Sequence, residues 1–150
     1  TRPRLVIVKL GGAAITDKSK EETLCTKGLA AAAAAIGVAH RENAAGSGAA
    51  STRFVVVHGA GSFGHQAASR EGFESNLRES NAGDPAKSAA AVARVRASCL
   101  RLHAVVVSSL VAAGVPALSH PPAAAGWLSA SHGIEVWTMT EEDGARMLLH

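Results

Sequence analysis

Two short aliphatic runs, each ending directly in glycine, constrain this chain more than any other feature. Leu5 to Leu10 reads LVIVKL and meets Gly11-Gly12; Arg53 to His58 reads RFVVVH and meets Gly59-Ala60-Gly61-Ser62-Phe63-Gly64. Runs that are apolar at nearly every position, rather than at alternate ones, fit strands covered on both faces, as in a parallel sheet. Parallel strands run the same way, so both glycine corners fall on one sheet edge. That edge is where open α/β sheets bind ligands.

The intervening segments suit that layout. Thr26 to Ala39 is alanine-rich and predicts a helix. Thr26 competes for its start with the capping box Ser19-x-x-Glu22. Arg41 to Thr52 is rich in Gly, Ser and Ala and reads as a surface loop. A helix is expected to begin within the second glycine loop and run to about Glu71, followed by an irregular polar stretch from Gly72 to Gly83. The next helix has the clearest punctuation: Asp84 as N-cap, Pro85 at its first position, Gly114 as C-cap and Pro116 blocking continuation. Val92, Val95, Cys99, Leu102, Val106 and Leu110 form its apolar stripe, with Arg94 and Arg101 off it. Pro116 to Ser119 is expected as a third short strand. Beyond it, Pro121-Pro122 and Gly126-Trp127 mark turns, and Glu141 to Leu149 is a candidate terminal helix. This order of elements predicts an α/β fold with a parallel sheet and right-handed crossovers.

Composition narrows the function classes. Hydrophobic residues at 47% and charged residues at 18% describe a globular chain. A net charge of +3, spread along the sequence, suits a small anionic ligand. With aromatic residues at only 3%, there is no stacking platform for nucleic acid. Cys25 and Cys99 form no CxxC, and the seven histidines form no ligand cluster. Reduced thiols in a cytoplasmic or plastid-stroma protein without a structural metal are therefore expected. No unbroken apolar run approaches the roughly 20 residues of a membrane span. The chain opens at Thr1 with strand-like residues close behind, so no targeting peptide is expected in it.

The chemistry-bearing residues cluster at the two corners. Glycine lets backbone N–H groups approach a phosphate closely, and a helix N-terminus adds positive potential. Two such corners side by side suggest two phosphates brought together. Lys9 is the only charge inside an apolar strand; it either reaches an anion at the strand end or extends its stem to solvent. Lys18 follows the first corner and is either a phosphate ligand or a solvated loop lysine. His58, at a strand end, reads as structural. His65, just past the second corner, can donate to a phosphate oxygen, with an exposed helix histidine as the alternative. Gly59-x-Gly61-x-x-Gly64 matches GxGxxG, but no strand ending in an acidic residue follows at the required distance, which argues against a dinucleotide fold. A Walker A reading also fails, because His65 and Gln66 replace its Lys and Ser/Thr.

Taken together, Lys9-Leu10-Gly11-Gly12-Ala13-Ala14-Ile15-Thr16-Asp17-Lys18 and His58-Gly59-Ala60-Gly61-Ser62-Phe63-Gly64-His65 resemble the two glycine loops of isopentenyl phosphate kinases, within the amino acid kinase superfamily. Gly114-Val115-Pro116, Pro121 and Gly126-Trp127 also resemble eukaryotic members, so the likeness covers roughly residues 4 to 128. The resemblance implies a three-layer αβα sandwich with a mainly parallel sheet, here incomplete at the carboxy-terminal end. It implies phosphoryl transfer from ATP, with Mg²⁺, to isopentenyl phosphate in isoprenoid biosynthesis. Lys9, Leu10, Gly11, Gly12 and Ala13 would line the ATP phosphates, with Gly61 on the ATP side. Gly59 and Ala60 would approach the substrate phosphate, His65 would hold it, and Lys18 would stabilise the transferring group. Phe73 and Leu77 are candidate walls for the five-carbon tail. A homodimer is also implied.

After Trp127 the family pattern fades, and the nucleotide-binding half is not visible. Residues 1–150 therefore read as the amino-terminal, substrate-binding part, with little turnover expected of it alone. Two other readings stand beside this one: a superfamily member with a different small acceptor, and a non-catalytic interaction module.

Overall fold

The computed structural model describes residues 4–45, 52–72, 85–121, 128–130 and 133–135. It divides into two compact units, Thr1–Ala117 and Leu118–His150. In the first, β1 (Arg4–Leu10) leads through a single helical turn α1 (Gly12–Ile15) and a loop into α2 (Thr26–Ala45). β2 (Thr52–His58), α3 (Gly61–Arg70) and the 28-residue α4 (Pro85–Ala112) follow. β1 and β2 pair in parallel from Arg4↔Thr52 to Leu10↔His58, so the two glycine corners leave the sheet at one level, side by side. In the second unit, β3 (Leu128–Ala130) and β4 (Gly133–Glu135) form a small antiparallel hairpin.

The first unit has one core. Leu10 of β1 meets Leu29, Ala33 and Ile36 of α2, Leu102, Val106 and Leu110 of α4, and Phe63 of α3, with Val8 and Val56 packed against them. Each such aliphatic side chain stabilises the fold by about 1.5–3 kcal/mol on burial. The α/β class and parallel pairing match the sequence reading, but the covering of the sheet does not. Leu5 and Ile7 are 58% and 66% exposed, and Val55 and Val57 are also open. Among the described residues, helices cover one sheet face, and the other carries an apolar strip. The sequence pattern records two faces suited to burial; these elements supply a layer for one of them.

Several boundaries differ from the sequence reading. α2 continues through Ala45, since neither Gly nor Pro stands between Ala39 and Gly46 to stop it. Its last turn is clasped to β2: Asn43 donates to the Thr52 carbonyl at 3.1 Å and accepts the Thr52 N–H at 3.2 Å. The Ser19/Glu22 capping box does not form. Ser19 donates to Asp17 and Glu22 binds α4, while the Cys25 carbonyl receives the first helical N–H, from Leu29. Residues 116–119 are not a strand; no partner among the described residues offers them a ladder.

The buried stripe of α4 runs through Ala91, Ser98, Leu102, Val106 and Leu110, with Val92 turned outward and Cys99 half-buried. α4 ends as expected: the Val115 N–H reaches the Leu110 carbonyl and the Gly114 N–H reaches Val111, with Gly114 at φ +83. By length and composition, Ala89–Ala112 could cross a membrane, although its apolar residues are interrupted by charged ones such as Arg94, Arg96 and Arg101. Its Leu102, Val106 and Leu110 lie in the core of the first unit, and its Arg94 and Arg101 are ion-paired. Asp84, Phe73, Leu77, Gly126-Trp127 and Glu141 to Leu149 lie outside the described residues.

Candidate active site

Parallel pairing brings the two glycine corners into direct contact. The ladder ends with the Gly59 N–H donating to the Leu10 carbonyl at 2.9 Å. Beyond it the two backbones touch. A Cβ on Gly12 would lie 2.6 Å from both N and Cα of Gly61, and one on Gly59 would lie 2.9 Å from N of Gly12. Gly61 sits at φ +50, and a Cβ there would overlap the Thr16 hydroxyl. Only glycine meets both requirements without strain.

Thr16 is the rivet between the corners. Its buried hydroxyl donates to the Gly12 carbonyl at 2.7 Å and accepts the Ser62 N–H at 3.1 Å. Ser62, also buried, donates to the Thr23 carbonyl and accepts its N–H. Among the described residues one side of this junction stays open: nothing lies within 4 Å of a Cβ placed on Gly11, and Ala13 beside it is exposed.

The predicted polar side chains lie on the elements that flank that junction and are all exposed: Lys9 near the end of β1, Lys18 in the loop after α1, and His65 in the early turns of α3. Lys9 follows the outward alternation of Leu5 and Ile7 along the uncovered face. Gln66 donates to the Lys18 carbonyl at 2.8 Å, which sets the main chain of Lys18 against α3 next to His65. Gly59 and Ala60 form the half-buried entrance to α3, and Gly61 is buried beneath them. Leu10 points into the core, so only its main chain can face a ligand. Among the described residues, no three His, Cys, Asp or Glu side chains gather as a metal site.

Acidic groups near the corner are tied up in pairs. Glu21 binds Arg70. Glu71 accepts from Arg94 at 2.6 Å, and that guanidinium holds its carboxyl below the ordinary 4.5. Arg101, then Ser98, do the same for Glu22. The Ser19 side chain and N–H lower Asp17. The junction is left with Lys9, Lys18 and backbone donors to meet an anion.

His58 has the structural role its strand-end position suggested. Its Nε2 lies 3.0 Å from Nδ1 of His103, with the rings stacked at 5.3 Å, joining β2 to α4. Burial, then the neighbouring His58, pushes His103 below its ordinary 6.5. Burial also pushes the Cys99 thiol up.

Thr16, Ser62, Gln66 and Glu22 were missed as site-building residues. Their signal was faint: Ser62 directly follows Gly61, Thr16 lies four residues past Gly12, and Glu22 stands four residues before α2 begins, while Gln66 carried none.

Comparisons with known proteins agree with this geometry. The model of the Amino acid kinase family matches residues 4–146. An isopentenyl phosphate kinase from Arabidopsis thaliana is 33% identical over 155 residues, spanning 85% of this chain and 45% of the relative. One from Methanothermobacter thermautotrophicus is 32% identical over 121 residues, spanning 80% and 41%. A crystal structure of an isopentenyl phosphate kinase superposes with a TM-score of 0.72 at 28% identity, covering 94% of this chain and 53% of that one. The T. acidophilum isopentenyl phosphate kinase product complex superposes at 0.61 with 24% identity, covering 85% and 46%, a likeness of fold alone. The chain thus spans about half the length of the relatives it matches.

Proposed function

The chain belongs to the amino acid kinase family, and from that premise we propose that it is the amino-terminal, acceptor-binding half of an enzyme that phosphorylates isopentenyl phosphate with ATP. The observation that carries this reading is the touching pair of glycine corners, open at Gly11 and bordered by Lys9, Lys18 and His65. The relatives at 33% and 32% identity, both isopentenyl phosphate kinases, support the choice of acceptor.

A phosphate monoester acceptor is mostly dianionic near neutral pH, since its second pKa is about 6. No base is required to make the nucleophile. The protein's task is to hold two anions in line and spread their charge. In this reading Lys9 and the main chain of Leu10, Gly11, Gly12 and Ala13 hold the ATP phosphates, with Gly61 toward the same side. Gly59 and Ala60 present their backbone to the acceptor phosphate, His65 donates to it, and Lys18 neutralises the group in transfer. Magnesium arriving with ATP supplies further charge neutralisation on the nucleotide. The lysines and backbone N–H groups of the corner suit anionic oxygens rather than a bare cation.

The five-carbon tail needs an apolar bed. A groove of about 300 Å³ lined by Ala68, Val92, Val95 and Arg96 lies between α3 and α4. Ala68 is three residues beyond His65, on a neighbouring face of the same helix. Both cysteines are free thiols, which suits a reducing cytoplasm. We also expect a homodimer, checked by light scattering.

The test is ADP release from Mg-ATP and isopentenyl phosphate by the full-length product of the gene carrying this sequence, with His65→Ala alongside. Turnover that falls by about 10² or more in the variant supports both the reaction and the role of His65. Wild-type turnover no faster than ATP alone would sink the assignment of acceptor. Turnover on another small acid, unaffected by His65→Ala, would favour a different family activity.

A further inference from the structure

Glu22 is the one non-glycine residue with positive φ among the described residues, at +47. A side chain avoids that conformation unless its surroundings over-determine it. Here the surroundings are on α4. Ser98, itself fully buried, donates to Oε1 of Glu22 at 2.6 Å, and Arg101 forks onto the same carboxylate, its Nε 3.1 Å from Oε2. Charge-assisted, two-pronged pairs of this kind fix geometry as well as energy.

The segment held this way carries Lys18. Its neck is closed by the Thr16–Leu24 bridge and by the Asp17 N–H on the Thr23 carbonyl at 2.9 Å. Its tip is held by Gln66 on the Lys18 carbonyl, and its far side by Glu21 on Arg70. All of these except Glu22 tie the loop to itself or to α3. Among the described side-chain bonds of the loop, that of Glu22 hands it to α4, the helix that also lines the apolar groove through Val92, Val95 and Arg96.

We propose that Glu22 is a positioning residue for Lys18: clamped by Ser98 and Arg101, it holds residues 17–24 in the shape that presents Lys18 beside His65. This rests on the phosphoryl-transfer role proposed for Lys18. The clamp also registers that lysine against the helix expected to bed the acceptor tail, so both ends of the acceptor are aligned from α4.

The test uses the full-length protein with Glu22→Gly, Glu22→Gln and Lys18→Ala, and the double variant Glu22→Gly/Lys18→Ala. Glu22→Gly relieves the backbone while removing the clamp, so a loss of kcat there follows from the missing carboxylate and not from backbone strain. The expected result is a kcat lowered by about tenfold or more, because small displacements of a charge-stabilising group are costly. KM for the acceptor should stay within about threefold. Glu22→Gln, which keeps one acceptor oxygen, should recover part of the loss. In the Lys18→Ala background Glu22→Gly should cost nothing further, since the two act as a unit. Losses that multiply in the double variant would overturn the proposal.

Amide hydrogen exchange gives a readout independent of any substrate. In Glu22→Gly, residues 17–24 should exchange at least about tenfold faster while 61–70 do not. Unchanged exchange in 17–24 overturns the clamp whatever the activity. If the wild type fails to phosphorylate isopentenyl phosphate, that failure belongs to the functional reading, and the exchange result still decides the clamp.

Discussion

The two glycine corners look alike in sequence and differ in what their glycines do. At the second, Gly61 is buried, has positive φ and has no room for a Cβ beside Thr16. At the first, Gly12 is equally confined, pressed on the backbone of Gly61, whereas Gly11 next to it has extended backbone (φ −64, ψ 139) and open space. Gly12 of the first corner and Gly59 and Gly61 of the second thus serve the fold by letting two backbones touch. Gly11 serves it in no way the structure shows, and its vacancy faces the side where a phosphate would approach.

Adding one methyl at each place breaks or sharpens that distinction. Gly61→Ala carries the largest expected effect. It combines left-handed strain of about 1–2 kcal/mol with overpacking of about 1–3 kcal/mol. Thermal unfolding of the full-length protein should fall by roughly 10 °C or more. Gly12→Ala should lose a similar amount through overpacking alone. Gly11→Ala should leave unfolding unchanged or raise it slightly, since alanine adopts that backbone readily. Its turnover with ATP should nevertheless fall by about tenfold or more, because a methyl would stand between the backbone and the phosphates. A Gly11→Ala protein with normal turnover would place the nucleotide elsewhere.

Thr16→Val tests the rivet between the corners and should be the next largest effect. It leaves the Ser62 N–H and the Gly12 carbonyl without a shared partner at a buried point, a loss of about 1–3 kcal/mol. Thr16→Ser keeps the hydroxyl and should recover most of it. A loss in Thr16→Ser that exceeds the loss in Thr16→Val, followed by urea unfolding, would show that the methyl group matters rather than the bridge.

How much of this was legible follows the range of the interactions. The strands, the corners, the helix starting in the second corner and the Gly114 cap depend on neighbouring residues, and local pattern reveals those. The contact between the corners follows from parallel pairing, which the doubled strand-glycine pattern implied. Thr16 and Ser62 are separated by 46 positions, Lys18 and Gln66 by 48, and Glu22 and Ser98 by 76. No local rule joins such pairs. The expected strand at 116–119 failed for the opposite reason: the alternation of elements called for a strand after the Gly114 cap, but a strand exists only where a partner offers a ladder. The apolar strip Leu5, Ile7, Val55, Val57 shows the same dependence. Its sequence specifies burial, and the described elements leave it uncovered.

The smallest effect concerns how the second corner is held from behind, by a contact for which the first has no counterpart. His58 ends β2 one residue before Gly59, and its ring is bonded to His103 on α4. One of two imidazoles sharing a hydrogen bond must supply a lone pair, so the contact requires at least one neutral ring. His103 titrates below its ordinary 6.5 when folded, through burial and the nearby His58. A group with a depressed folded pKa binds protons more readily in the unfolded chain. Its contribution is therefore complete above about 6.5 and is lost as pH falls from there through the folded value. Glu22 and Glu71, also depressed, lose theirs only below 4.5. Stability against urea should accordingly decline in two stages, a shallow one starting near pH 6.5 and a steeper one under 4.5. His103→Gln, which cannot titrate, should abolish the first stage and leave the second. If the shallow stage survives that substitution, the proton enters elsewhere and the second corner does not depend on this pair.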